Sequence, residues 1–303
     1  MSALQINLPI PKASQDNLGH AIFKLIQLSK IVDSAPVSIV QLDFSNTRFQ
    51  YSCFLAGLHL LIRQWRAIGK IVTFTNIDSD PFYNYLCAIK FFDGCNGETD
   101  SDLDVYKSKT YTPVFRFSTE PKFRERCVNV AIDVIFGQTN MTGLSSSDFK
   151  NVIDYFISEL TNNIADHSKS SHGIVFTQVY PQKGFMDVTI GDNGVGILSS
   201  YSSSTKFQPN NEKEAIEMAI QGCSTKDLAE SRGYGLSQSR NLLVKGLSGI
   251  FCMWTGRHLF VDGGKANSVT VRIEEGANLN GCYLNLRLPL SSTLVGDFYD
   301  YMS

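Results

Sequence analysis

One segment constrains this chain more than any other. From Ser147 to His167, Phe149, Val152, Ile153, Phe156, Ile157, Leu160 and Ile164 recur at three- and four-residue spacing. That periodicity predicts a helix with one apolar stripe, and Ser147 can cap its start. Two apolar runs follow at once, Gly173–Tyr180 and Phe185–Ile190, and read as strands around a Pro181–Gly184 turn. Beyond them come helix patterns near Glu212–Gln221 and Leu236–Lys245 and strands near Ile250–Trp254, Val269–Ile273 and Tyr283–Leu288.

The first ninety residues carry a different rhythm. A helical pattern over Asp16–Ile31 precedes a short apolar run, Val37–Phe44. A second helix is marked by Phe54, Leu55, Leu58, Leu61, Ile62 and Trp65, and Gly69–Thr75 supplies another strand. Pro81–Ile89 predicts a helix with proline in its first turn. A strand–helix–strand order favours parallel pairing, because a hairpin has no room for the crossover helix. Asp93–Pro113, with Asp93-Gly94, Asn96-Gly97 and several acids, breaks both patterns and reads as a connector. A length of 303 residues agrees with two domains, placed at 1–108 and 109–303.

Composition narrows the function. Hydrophobic residues make up 43% of the chain, enough for sizeable cores, which excludes global disorder. The formal charge of -2 supplies no general field for nucleic acid, and the clusters Lys122/Arg124/Arg126 and Arg232/Arg240/Lys245 are scattered cations of the kind that form solvated faces, not a basic stripe. Direct DNA or RNA binding is therefore not expected. Seven cysteines stand far apart with no CxxC pair, which suits separate buried thiols rather than a disulfide framework or zinc site. No run approaches the roughly 20 apolar residues of a membrane span, and no signal core opens the chain, so a cytoplasmic location without membrane contact is the expectation.

Chemistry concentrates in three places. Glu159 and Asn163 are four apart on the long helix and project on one side; a carboxylate can orient water and an amide oxygen can ligate a hard cation. Asp192-Asn193-Gly194-Val195-Gly196 follows an apolar strand, where Asp192 can accept from an adenine amine and the glycines permit a sharp turn. Gly233-Tyr234-Gly235 precedes a helix whose backbone N–H groups can meet phosphate. Each motif alone also has an ordinary structural use, as a polar helix face, a turn or a helix start.

Their order adds weight. ELTNNIADHS at 159–168, DNGVG at 192–196, GCSTK at 222–226 and SRGYG at 231–235 resemble the successive signatures of the GHKL ATPase superfamily, and GCYLNLRLPL at 281–290 resembles the closing strand of histidine-kinase ATP-binding domains. The resemblance spans about 114–290. It implies a two-layer α/β sandwich that binds ATP with magnesium. It assigns Glu159 to the water-orienting acid, Asn163 to the magnesium ligand and Asp192 to adenine recognition. Gly194, Gly196, Gly233 and Gly235 fall around the nucleotide, and Lys226 falls in a lid near 197–232 that covers the phosphates. No helical module bearing a substrate histidine precedes the motifs, which disfavours a conventional histidine kinase.

The piece from Val37 to about Phe92 resembles STAS domains. Ser52 stands near the loop serine phosphorylated in anti-sigma antagonist relatives, although Gln50-Tyr51-Ser52-Cys53 lacks their acidic context and a helix-capping role competes. The combined expectation is an α/β protein, a STAS-like domain followed by a GHKL sandwich. It would act as a magnesium-dependent ATPase or ATP-binding switch addressing a protein partner or a second copy in a homodimer. The alternatives are an anti-sigma-like serine/threonine protein kinase and a nonhydrolysing ATP-responsive binding module.

Overall fold

The computed structural model describes residues 4–13, 18–77, 81–96, 103–136, 146–223, 235–263, 266–273 and 275–302. The first ninety residues form the parallel unit their pattern predicts. Strands β1 (Gln5–Pro9), β2 (Ile39–Asp43) and β3 (Ile71–Thr75) pair side by side in that order. Helix α1 (Leu18–Ser34) links the first two, and α2 (Ser52–Ala67) links the second two. Strand β1 was not anticipated. Its QINLP sequence alternates too briefly to signal itself, and only Leu8 is buried.

Helix α2 is apolar nearly all round, with Cys53 to Ile62 buried at every position, so it must be covered on all sides. One side packs on α1 and β3. The other lies on the second sheet, against β6 (His172–Tyr180), β7 (Phe185–Asp192) and β11 (Leu279–Pro289). Ser52 does not cap this helix. It is the first helical residue, with its N–H donated to the Tyr180 hydroxyl at 2.7 Å and its side chain fully buried beside Asp187.

The second sheet has eight strands in the order β10-β9-β8-β11-β7-β6-β5-β4, where β4 is Cys95–Asn96, β5 Phe115–Ser118, β8 Ile250–Gly256, β9 His258–Gly263 and β10 Ala266–Arg272. Its pairings are antiparallel except β4 with β5. On β7, Met186, Val188 and Ile190 point into a core beneath α4 (Pro121–Phe136) and α5 (Ser146–His167), while Asp187, Thr189 and Gly191 alternate toward α2. Both faces are covered, so β7 is buried along its whole length.

The sandwich expected to have two layers thus has a third element, α2, on its outer sheet face. The expected connector contains β4, which joins the large sheet, and a short 3-10 turn at Asp104–Ser108. Between α2 and the sheet, Arg287 and Asp187 form a buried bidentate ion pair, Nε to Oδ1 at 2.7 Å and Nη2 to Oδ2 at 2.8 Å. The guanidinium lies 3.8 Å from the Phe185 ring centroid. Among the described residues, no helix is long and apolar enough to cross a membrane.

Candidate functional site

Helix α5 places its apolar stripe on the sheet and leaves Glu159 and Asn163 half-buried at its border. The 3.6-residue repeat sets them one turn apart on one side. Strand β7 ends at Asp192, and the chain turns through Asn193–Val195 into the short helix α6 (Gly196–Ser200). Helix α8 (Gly235–Asn241) then crosses α5, and its hydrogen bond from the Tyr155 hydroxyl to Gln238 Oε1 is 2.7 Å long. These three pieces border one cleft that opens to solvent. Asn163, Asp192, Gly196 and Leu236 all line it.

The Asp192 turn is tightly fixed. The carboxylate accepts the Gly194 N–H through Oδ1 at 2.7 Å, and a second N–H from Cys282. The Val195 N–H reaches the Ser168 carbonyl at 2.8 Å, tying the turn to the end of α5. Gly194 must be glycine here, because a Cβ would collide with that same carbonyl. Gly196 has φ +75°, and its side-chain space is closed by Thr255 Oγ1. Thr255 in turn accepts the Ile197 N–H at 3.2 Å and donates to the Gly281 carbonyl at 2.8 Å.

Burial governs the electrostatics. Asp192 is 3% exposed, and loss of water raises its carboxyl to about 6 against the two backbone bonds that favour the anion. The walls beside it are apolar: Leu160, Ile164, Ile197 and Leu284. A planar heteroaromatic ring suits such a slot, with one buried acceptor at its end. Glu159 flanks the cleft rather than lining it, and contacts Gly235 on α8. Among the described residues, no group of three or more His, Cys, Asp or Glu is placed to hold a metal ion. A metal here would take Asn163 as a protein ligand and find its others on a bound ligand's oxygens.

Over the cleft, α7 (Glu212–Ile220) is held at its first residue: Glu212 Oε2 accepts the Arg257 N–H at 3.0 Å and meets His258 Nδ1 at 2.7 Å. The Tyr201 hydroxyl donates to the Cys223 carbonyl at 2.5 Å. Both Tyr201 and Cys223 line the cleft, as do His167 and Cys282. Of the residues singled out from the sequence, Lys226 and Gly233 lie outside the described residues. Sequence reasoning overlooked Thr255 and Tyr201. Thr255 had no local signal, being an ordinary strand residue; Tyr201 was visible only as an aromatic in a serine-rich stretch.

No protein-family model matches the chain, and a search of the curated proteins found no match.

Proposed function

We propose that this protein is a magnesium-dependent ATP-binding switch with ATPase activity, coupling nucleotide state to a protein interaction. The observation that carries the reading is the convergence of Asn163, Asp192, Gly196 and Leu236 on one cleft from motifs far apart in the chain. The GHKL-like order of those motifs supports it, as does the STAS-like strand–helix–strand unit for the interaction role.

In this reading the ionised Asp192 accepts from the adenine amine while Ile164, Ile197 and Leu284 enclose the base. The backbone around Gly194 and Gly235 lies toward the phosphates, with the α8 N-terminus favouring negative charge. Asn163 would hold a magnesium ion, which would supply neutralisation of phosphate charge. Glu159 accepts a hydrogen bond from water and orients it toward the terminal phosphate. Loss of that phosphate changes the contacts of α7 over the cleft, and the altered surface is what a partner or a second subunit reads.

Calorimetry with ATP and ADP, with and without magnesium, followed by separation of released phosphate from labelled protein, tests this function. Magnesium-dependent ATP binding and free phosphate are expected. Absence of binding at millimolar ATP overturns the reading, and label transferred to a partner protein replaces the ATPase by a kinase. Ser52 is a poor internal acceptor, since its hydroxyl is buried beneath α2.

A further inference from the structure

Outside the cleft lining, the edge of the α2–sheet interface gathers positive charge, and no acid among the described residues forms an ion pair with it. Arg63 and His59 lie one turn apart on α2, and Arg116 and His172 lie on β5 and β6. The strand register places Arg116 opposite Ile174 and Ser118 opposite His172, so Arg116 and His172 share a sheet face with Ile174. Ile174 belongs to the core that includes α2, so this face is the one directed at Arg63 and His59. The turn at Gly94 closes the site: a Cβ there would sit 3.5 Å from Arg116 Cβ and 3.6 Å from His59 Cε1.

Two buried polar atoms of the cluster have no partner among the described residues, His59 Nε2 and Arg116 Nε. His59 is 1% exposed. Neither arginine forms an ion pair with a described residue, and Asp93 in the adjacent turn is exposed and unengaged. Arg66, a turn further along α2, is directed elsewhere, with Nη1 3.4 Å from the Phe92 carbonyl. The charges oppose one another. Burial, with Arg116 beside it, lowers Arg63 to about 10; burial, with Arg63, Arg66 and Arg116, lowers His59 to about 4. Buried like charges are costly, and a bound anion relieves that cost.

We infer that Arg63, Arg116 and His59 form a second ligand site, one that takes a protonated phosphate, supplied by inorganic hydrogen phosphate. The His59 ring decides between oxyanions. Its Nδ1 lies 2.7 Å from the Phe91 carbonyl and must carry the ring proton, which leaves Nε2 as an acceptor in the neutral ring. A hydrogen phosphate offers acceptor oxygens to the two guanidinium groups and one O–H to Nε2. Sulfate and carboxylate lack that O–H at neutral pH. The site does not depend on the nucleotide reading of the cleft, whose lining does not include these residues.

The test uses the full chain without nucleotide. Thermal unfolding is followed in inorganic phosphate, sulfate and chloride at matched ionic strength, for the wild type, R63M, R116M and the cleft variant D192N. Phosphate should raise the wild-type Tm by several degrees and sulfate by less. D192N should keep the response, and the two arginine variants should lose it while unfolding at a higher temperature in chloride. Equal phosphate responses in wild type and R63M overturn the site, and equal effects of sulfate and phosphate overturn its selectivity. Because a variant can fail to fold, the imidazole ¹⁵N spectrum of the wild type gives a second readout. The His59 Nε2 resonance should shift on adding inorganic phosphate, and an unmoved resonance rejects the proposal. A monoester such as glycerol phosphate, mostly an unprotonated dianion at pH 7.5, should bind more weakly than inorganic phosphate in the same titration, and tighter binding of the monoester overturns the role of the O–H.

Discussion

Gly235 lies so close to Glu159 that a Cβ at position 235 would collide with the carboxylate and sit 3.3 Å from Glu159 Cβ. The start of α8 and the middle of α5 therefore determine each other's position, and the glycine keeps the acid where it is.

The variant G235A must displace Glu159. If Glu159 orients the attacking water, a displacement near 1 Å lowers turnover on the order of a hundredfold. ATP affinity should change far less, because the cleft is lined by Asn163 and Asp192 rather than by Glu159. Phosphate release and calorimetry on the same preparation check both halves. Undiminished turnover in G235A would remove Glu159 from the reaction.

A pH experiment isolates Asp192. Its carboxyl is raised from 3.8 to about 6 in the folded protein. The folded chain holds that proton more tightly than the unfolded chain, so this group's stabilising contribution is present below about pH 4 and fades as pH rises through about 6. Adenine recognition by the anion runs the other way. Wild-type ATP affinity should fall roughly fivefold between pH 6 and 5 beyond the titration of ATP itself. D192N should bind weakly at pH 7.5 and lack that extra loss. The ratio of the two affinities should therefore shrink toward unity at pH 5, and a constant ratio rejects the assignment.

Much of this arrangement was legible because it depends on long periodic segments. The stripe of α5 from Phe149 to Ile164 and the β6–β7 hairpin announce themselves locally, and they set Glu159, Asn163 and Asp192. Strand β9 was missed because only part of His258–Gly263 is buried and its length gives no clear alternation. Strand β5 was missed since four residues behind Pro113 look like a loop until β6 pairs with them. The packing of α2 on the large sheet was hidden for another reason. Its residues are apolar all round, which shows burial but does not name the second surface.

The Asp187–Arg287 pair is a case of that hidden kind, joining positions 100 residues apart. D187A takes the carboxylate away from a guanidinium held between Phe185 and Tyr51, and should cost about 3–5 kcal/mol in urea unfolding. The double variant D187L/R287M removes both charges and should recover most of that loss. A single-variant cost below about 1 kcal/mol would mean that solvent reaches the pair.

Gln64 offers the sharpest test that the N-terminal unit and the cleft act together. Its Nε2 donates to the Asn278 carbonyl and its Oε1 accepts the Asn280 N–H, each at 2.8 Å. These bonds hold the approach to Gly281, whose carbonyl is bound by Thr255 beside Gly196. One turn earlier on α2, the Leu60 carbonyl accepts from Asn193 in the Asp192 turn at 3.2 Å. Helix α2 thus grips both loops at one end of the cleft without lining it. Q64A frees two backbone groups at a cost of about 1–3 kcal/mol in stability. Part of that loss should appear as ATP affinity reduced several-fold, since the loosened loops must be reordered on binding. Conversely, saturating ATP should slow amide exchange in α2 of the wild type, and less so in Q64A. Protection confined to α5, α6 and α8 would show that the two units share a core but not a response.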